Sequence, residues 1–230
     1  MTLKEMRDEV VNSLGLQEIS PYNEGTLVTG FLNRGVIDLL SRTRCVVRCV
    51  HLKTTAGVDT YKLDHSIMSL VDVEDGAQRM RRSQRRENEG WVGVTYPSGD
   101  YGLTGGFTLI RSDILRVPAP SEDGEVDVWG VLRPSPMTDD AHSPGDEAYG
   151  AIPDEFQDAI ILYALWKASD YADDQSGGQG ERYRQQYEGQ DTRGGRLREI
   201  RMMVNKRGTQ KAPGMRARVR QVRSRSAWVG

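Results

Sequence analysis

Apolar residues in the first forty positions recur at intervals of three and four. Leu3, Met6, Val10, Val11 and Leu14 share one helical face, Thr2 and Glu5 form a capping-box pair ahead of them, and Gly15 closes the run. After Pro21, the residues Leu27, Val28, Phe31, Leu32, Val36, Leu39 and Leu40 repeat the same spacing and predict a second helix over about 23–42. The short link between the two favours an antiparallel pair. From Cys45 the period shortens. The run from Cys45 to Leu52 is β-rich, a turn containing Gly57 follows, and Thr60 to Leu63 resumes in extended style, so the two runs predict a β-hairpin. Ile67 to Val73, Trp91 to Tyr96, Phe107 to Ile110, Ile114 to Val117 and Val126 to Leu132 predict further strands, separated by glycine turns. Gln78 to Glu89 is polar and Arg-rich, which predicts a short helix or a loop. Residues 44–133 therefore predict a small antiparallel sheet or barrel.

Pro134 to Gly150 has no apolar period and predicts a loop. Pro153 then stands in the N1-like position of a helix, with Asp154 and Glu155 at the positive end of the dipole. Phe156, Ala159, Ile160, Leu162, Tyr163, Trp166 and Tyr171 give this helix an apolar face wide enough for more than one neighbour. Gly177 and Gly178 interrupt it. A polar helix is expected from about Gly180 to Val204, carrying Tyr183, Tyr187, Leu197, Ile200 and Met203, with Gly189, Gly194 and Gly195 as its weak points. Two helices joined by a glycine-rich turn form an αα-hairpin, which the N-terminal pair completes to a bundle. The expected fold is α+β: a helical bundle, an inserted small antiparallel β-domain and an extended basic C-terminal arm. The expected divisions are 1–43 and 151–207 for the bundle, 44–133 for the insert, 134–150 for the loop and 208–230 for the arm.

Charge changes this picture at one end. Residues 193–230 carry twelve Lys or Arg against one acid, Glu199, whereas the preceding 192 residues carry nineteen bases against thirty-two acids. A net charge of −2 thus conceals an acidic body and a basic tail, an asymmetry that points to a partner. The 37% hydrophobic and 7% aromatic content is modest for a self-sufficient core, so exposed or partner-covered elements are expected. No run approaches the roughly 18 apolar residues of a membrane span, and the charged N-terminus lacks a signal-peptide core, so a soluble protein made inside the cell is expected. Cys45 and Cys49 would lie about 13 Å apart along a strand, too far for a disulfide, and are expected to be buried free thiols.

No catalytic motif is present: there is no phosphate loop, no paired-His zinc spacing and no nucleophile elbow. His51, His65 and His142 are scattered, with surface or lightly structural roles expected. Asp139, Asp140, His142, Asp146 and Glu147 are dense but match no calcium loop, so a solvated acidic loop is expected. Gly177-Gly178-Gln179-Gly180 follows a helix and not a strand, so it is a helix break and not a phosphate site. No enzyme activity, cofactor or metal is expected.

The arm alternates small or apolar residues with arginine. Lys211, Arg216, Arg218, Arg220, Arg223 and Arg225, with Trp228 near the end, bury too little and repel too much to fold alone. Three readings stay open. The arginines can track a nucleic-acid backbone with Trp228 stacking on bases. They can lie in an acidic protein groove with Trp228 as anchor. The segment can also be a solvated tail.

The order of elements carries a resemblance. The helix holding Thr26 to Leu40, the strand-rich insert with Tyr61-Lys62-Leu63 and Pro118-Ala119-Pro120, the phrase Ile152-Pro153-Asp154-Glu155-Phe156 opening a helix over 159–168, and Tyr183-Arg184-Gln185-Gln186-Tyr187 on the next one resemble the head-to-tail adaptor (connector) proteins of tailed bacteriophages. That resemblance covers roughly residues 2–207. It implies a non-enzymatic virion protein of the neck, assembled in the host cytoplasm as a ring, commonly of twelve copies. The ring would join a portal protein to a downstream tail or stopper protein, away from any membrane, with DNA passing through its lumen without sequence-specific binding. Lys211 to Gly230 would then be the portal-gripping arm. Phe156, Ile160, Tyr163, Trp166, Tyr183 and Tyr187 would pack subunit against subunit. The arginines from Arg79 to Arg86 depart from the family picture and have no assigned role.

Overall fold

The computed structural model describes residues 1–15, 25–75, 78–82, 106–111, 113–172, 179–190 and 194–207. The first helix, α1 (Leu3–Leu14), begins where the sequence predicts. Thr2 Oγ1 accepts the Glu5 amide at 3.3 Å, Glu5 Oε2 accepts the Thr2 amide at 2.8 Å, and Gly15 ends the helix at φ 64°. Helix α2 (Thr26–Thr43) has no side-chain cap at its start and turns out of the helix at Arg44, φ 53°. Gly35 lies where α2 crosses α3 (Gln157–Ala172). A Cβ there would come within 3.2 Å of Tyr163 Cδ1 and 3.3 Å of Ile160, so the glycine sets how closely the two helices approach.

The main core is a bundle core. Leu3, Met6 and Val10 of α1, Val28, Leu32, Leu39 and Leu40 of α2, and Ile160, Ala164 and Ala168 of α3 form one buried cluster. Leu197, Ile200 and Val204 of the last helix join it. Pro153 stands one step earlier than the sequence suggests, at the N-cap of a 3₁₀ turn over Asp154–Phe156 that feeds α3. The expected continuous polar helix is two helices, α4 (Gln179–Glu188) and α5 (Arg196–Arg207). Gly189, at φ 95°, ends α4, and a bridge between Gly189 and Gly194 pinches the connection. Gly180 lies inside α4; Gly177 and Gly178 fall outside the described residues.

Among the described residues, the insert carries eight short strands in two sheets: β1 (Arg48–Thr54), β2 (Thr60–Lys62), β3 (Ile67–Asp75), β4 (Gln78–Arg79), β5 (Arg81–Arg82), β6 (Gly106–Arg111), β7 (Ile114–Arg116) and β8 (Gly124–Leu132). One sheet runs β1-β8-β3-β4, the other β2-β7-β6-β5, and all pairings are antiparallel except the two-residue β5–β6 contact. The predicted β1–β2 hairpin does not form. β1 pairs with β8 along its whole length, whereas β2 pairs with β7 in the other sheet. Of the stretch Gln78 to Glu89, expected as a short helix or loop, Gln78–Arg79 and Arg81–Arg82 are short strands on either side of Met80; residues 83–89 and the predicted strand over 91–96 lie outside the described residues. A second buried cluster fills the space between the sheets, with Leu70, Val73, Val126 and Val128 from one and Phe107 and Leu115 from the other.

The loop over 134–150 is tied down. Its His142 and Asp140 carbonyls accept the Leu3 and Lys4 amides at 2.7 and 3.2 Å, which occupies donors that the first turn of α1 leaves unpaired. Met137 exchanges two hydrogen bonds with the Asn33 side chain. His142 Nδ1 accepts from the Thr138 and Asp139 amides, and its ring stacks on Tyr149 at 4.2 Å, so its role is structural. Asp139 and Asp146 accept backbone amides within the loop, and Asp140 pairs with Arg7 at 3.0 Å.

Candidate functional site

Three helices meet at a polar-aromatic junction that the fold builds outward from the bundle core. Tyr187 of α4 is wholly buried, and its hydroxyl donates to Asp38 Oδ2 of α2 at 2.6 Å. Arg42, one turn further along α2, bonds Glu188 at 2.6 Å, lies 3.6 Å from Asp38 and stands over the Tyr187 ring. Burial first, and the Asp38 carboxylate next, push the Tyr187 phenol far above its usual range, so it remains a donor. Tyr163 of α3 meets the Tyr187 ring edge-on at 5.5 Å and Trp166 at 5.7 Å. Lys167 lies 3.4 Å from the Trp166 ring centre, a cation–π contact on the outer side of α3.

This geometry divides the six residues expected to join subunits. Phe156, Ile160 and Tyr187 are buried in the chain's own core, at 3%, 0% and 0% exposure, and are used up there. Tyr163, Trp166 and Tyr183 are half-buried, packed on that core with part of each ring exposed. Elsewhere on the helical layer, Tyr171 of α3 is 66% exposed, Met202 of α5 47% and Ile37 of α2 37%. The periodicity of α3 shows a wide apolar face, but only the packing of α2 and α4 shows which side of it remains outside.

The arm residues Lys211, Arg216, Arg218, Arg220, Arg223, Arg225 and Trp228 lie outside the described residues. Helix α5, the last described element, packs Leu197, Ile200 and Val204 into the bundle core and ends at Arg207.

On the outer face of the insert, β1 and β8 carry a group not singled out in the sequence. His51 stands directly opposite Asp127, and its Nδ1 is 2.8 Å from Asp127 Oδ1. Cys49 is two residues before His51 and half-buried, whereas Cys45 is buried as expected. Burial, then the Asp127 carboxylate, pushes the Cys49 thiol up to about 11. The Cys-x-His alternation was visible in the sequence; Asp127 enters only through the β1–β8 register. Among the described residues, no helix is long and apolar enough to cross a membrane.

An N-terminal helix pair, a two-sheet insert and a C-terminal helical layer make up the described fold. The chain belongs to the SU10 adaptor protein family, a family of phage head–tail adaptors, whose model matches residues 1–218. The match takes in Arg216 and Arg218, and Val219 to Gly230 lie beyond it. No curated protein matches the chain.

Proposed function

We propose that the chain is a structural subunit of a phage neck, assembling into a ring beneath the portal that joins capsid to tail and lets DNA pass. The observation that carries this reading is the family match over residues 1–218, nearly the whole chain. The distribution of charge supports it: an acidic body repels the DNA backbone, which suits a lumen that must not hold DNA, while the arm concentrates the positive charge for a partner. The ring is expected to contain twelve copies, with the portal above and a tail or stopper protein below. Subunits pack side by side through the exposed parts of Tyr163, Trp166 and Tyr183 together with Tyr171, Ile37 and Met202; closed ring symmetry accounts for apolar groups that one copy leaves uncovered. The arm from Lys211 to Gly230 inserts between portal subunits, with its arginines in acidic grooves and Trp228 as anchor.

Deleting 211–230 tests the arm. The shortened chain is expected to keep its melting transition and to lose all joining to portal-bearing heads; normal joining would refute the role given to the arm. The competing reading, in which the arm grips nucleic acid, is separated by titrating DNA affinity against salt. A steep slope that falls with each arginine removed favours that reading, and weak binding that is the same with or without the arm favours the portal.

A further inference from the structure

The outer face of the β1–β8 ladder presents three unlike donors at one point. Strand alternation places Cys49 and His51 on the same side of β1, and the ladder places Asp127 across from His51. The Cys49 sulfur, a His51 ring nitrogen and an Asp127 carboxylate oxygen all lie within 4.8 Å of one another. We propose that Cys49, His51 and Asp127 form a binding site for a divalent transition-metal ion of the zinc class, held across β1 and β8.

The geometry fits with side-chain adjustments of up to about an ångström. Zinc bonds of about 2.0–2.3 Å in a tetrahedron separate donors by roughly 3.3–3.8 Å, so the 2.8 Å His51–Asp127 hydrogen bond opens by only about half an ångström to admit an ion. The β1–β8 register runs unbroken from Arg48 to Thr54, whereas the bulges of this sheet fall on its β3 side, so the two donor strands form a regular platform. Trp129, the cross-strand partner of Cys49, is 8% exposed and bonds Glu74 through Nε1 at 3.2 Å, which walls one side. The other side is open, since the His51 side chain is 62% exposed.

The donor chemistry selects the ion. A thiolate and an imidazole suit borderline ions, and magnesium or calcium would be left with a single carboxylate. Binding displaces the Cys49 thiol proton to solvent, and the thiolate and carboxylate then neutralise both charges of the ion. Glu74, opposite Asp127 on β3, adds negative charge to the same face. Three protein donors leave a fourth position facing solvent, for water or for a donor from another molecule. A bound ion would also clasp β1 to β8 at the surface of the insert, far in sequence from the arm.

Cobalt(II) titration of the reduced full-length chain tests the site, because a thiolate–cobalt bond adds a near-ultraviolet charge-transfer band. A single saturable equivalent with that band is expected, displaced by zinc. Cys49→Ser should abolish the band, and His51→Ala and Asp127→Asn should each weaken binding at least about tenfold, while Cys45→Ser and His65→Ala leave it unchanged. All three site positions face outward, and unchanged melting of the variants confirms that they fold. Absence of the band in the native chain, its survival in C49S, its loss in C45S, or native affinity in both H51A and D127N overturns the proposal.

Discussion

Replacing Tyr187 with alanine should cost about 3–5 kcal/mol of stability, read by urea or thermal unfolding. The ring is fully buried between α2 and α3, edge-on to Tyr163, so its removal leaves a cavity that rigid helices close poorly. The hydroxyl is a separate contribution. Tyr187→Phe keeps the ring but leaves Asp38 with Arg42 as its remaining close partner, and the cost should be about 1 kcal/mol because that carboxylate is partly solvated. The phenol also sets an alkaline limit. Its folded pKa lies above the ordinary value of 10.0, so its contribution is whole below that pH and is lost as pH rises further and the unfolded chain ionises first. The phenylalanine variant should lose part of that alkaline sensitivity.

A methyl group at Gly195 should be nearly as damaging. A Cβ built there collides with the Gly189 amide nitrogen and stands 2.5 Å from the Glu188 carbonyl carbon, and both are backbone atoms that no rotamer change can move aside. Gly195→Ala therefore forces the end of α4 away from the start of α5. That lifts Leu197 and Ile200, which are 2% and 0% exposed, from the bundle core. The expected loss is about 3 kcal/mol, the upper end for overpacking. Gly30 is the control: it is exposed on α2 with open space around its Cα, so Gly30→Ala should stabilise the chain by up to about 1 kcal/mol.

These two positions also show what could be read from the residue order. Gly189, Gly194 and Gly195 were visible as weak points, but a helix interrupted by glycines and two helices joined by them share one local pattern. The difference lies in the backbone contact between Gly195 and Gly189. Helix α1 was legible to the residue because its signals are local: the Thr2–Glu5 box, an i, i+3, i+4 stripe and a left-handed glycine. Strand pairing was not. β1 and β2 adjoin in sequence and look like a hairpin, yet β1 finds its partner seventy or more positions away in β8, and alternation marks faces without naming neighbours. The same limit hid the Cys49–His51–Asp127 group, which exists only in that register. For the proposed subunit contact, apolar period marked the residues of α3 and of the turn before it, and burial then separated Phe156 and Ile160, which hold the protomer together, from Tyr163 and Trp166, which remain partly outside.

The claim on which the functional account depends is that copies of this chain close into a ring on a portal through their helical layer and basic arm. A mass measurement of purified portal mixed with the full-length chain tests it most directly. The account predicts one discrete added mass corresponding to a closed ring, twelve copies on a twelve-fold portal, and none when 211–230 is removed. A portal mass unchanged by the full-length chain, or an added mass that grows with concentration without closing, would contradict it.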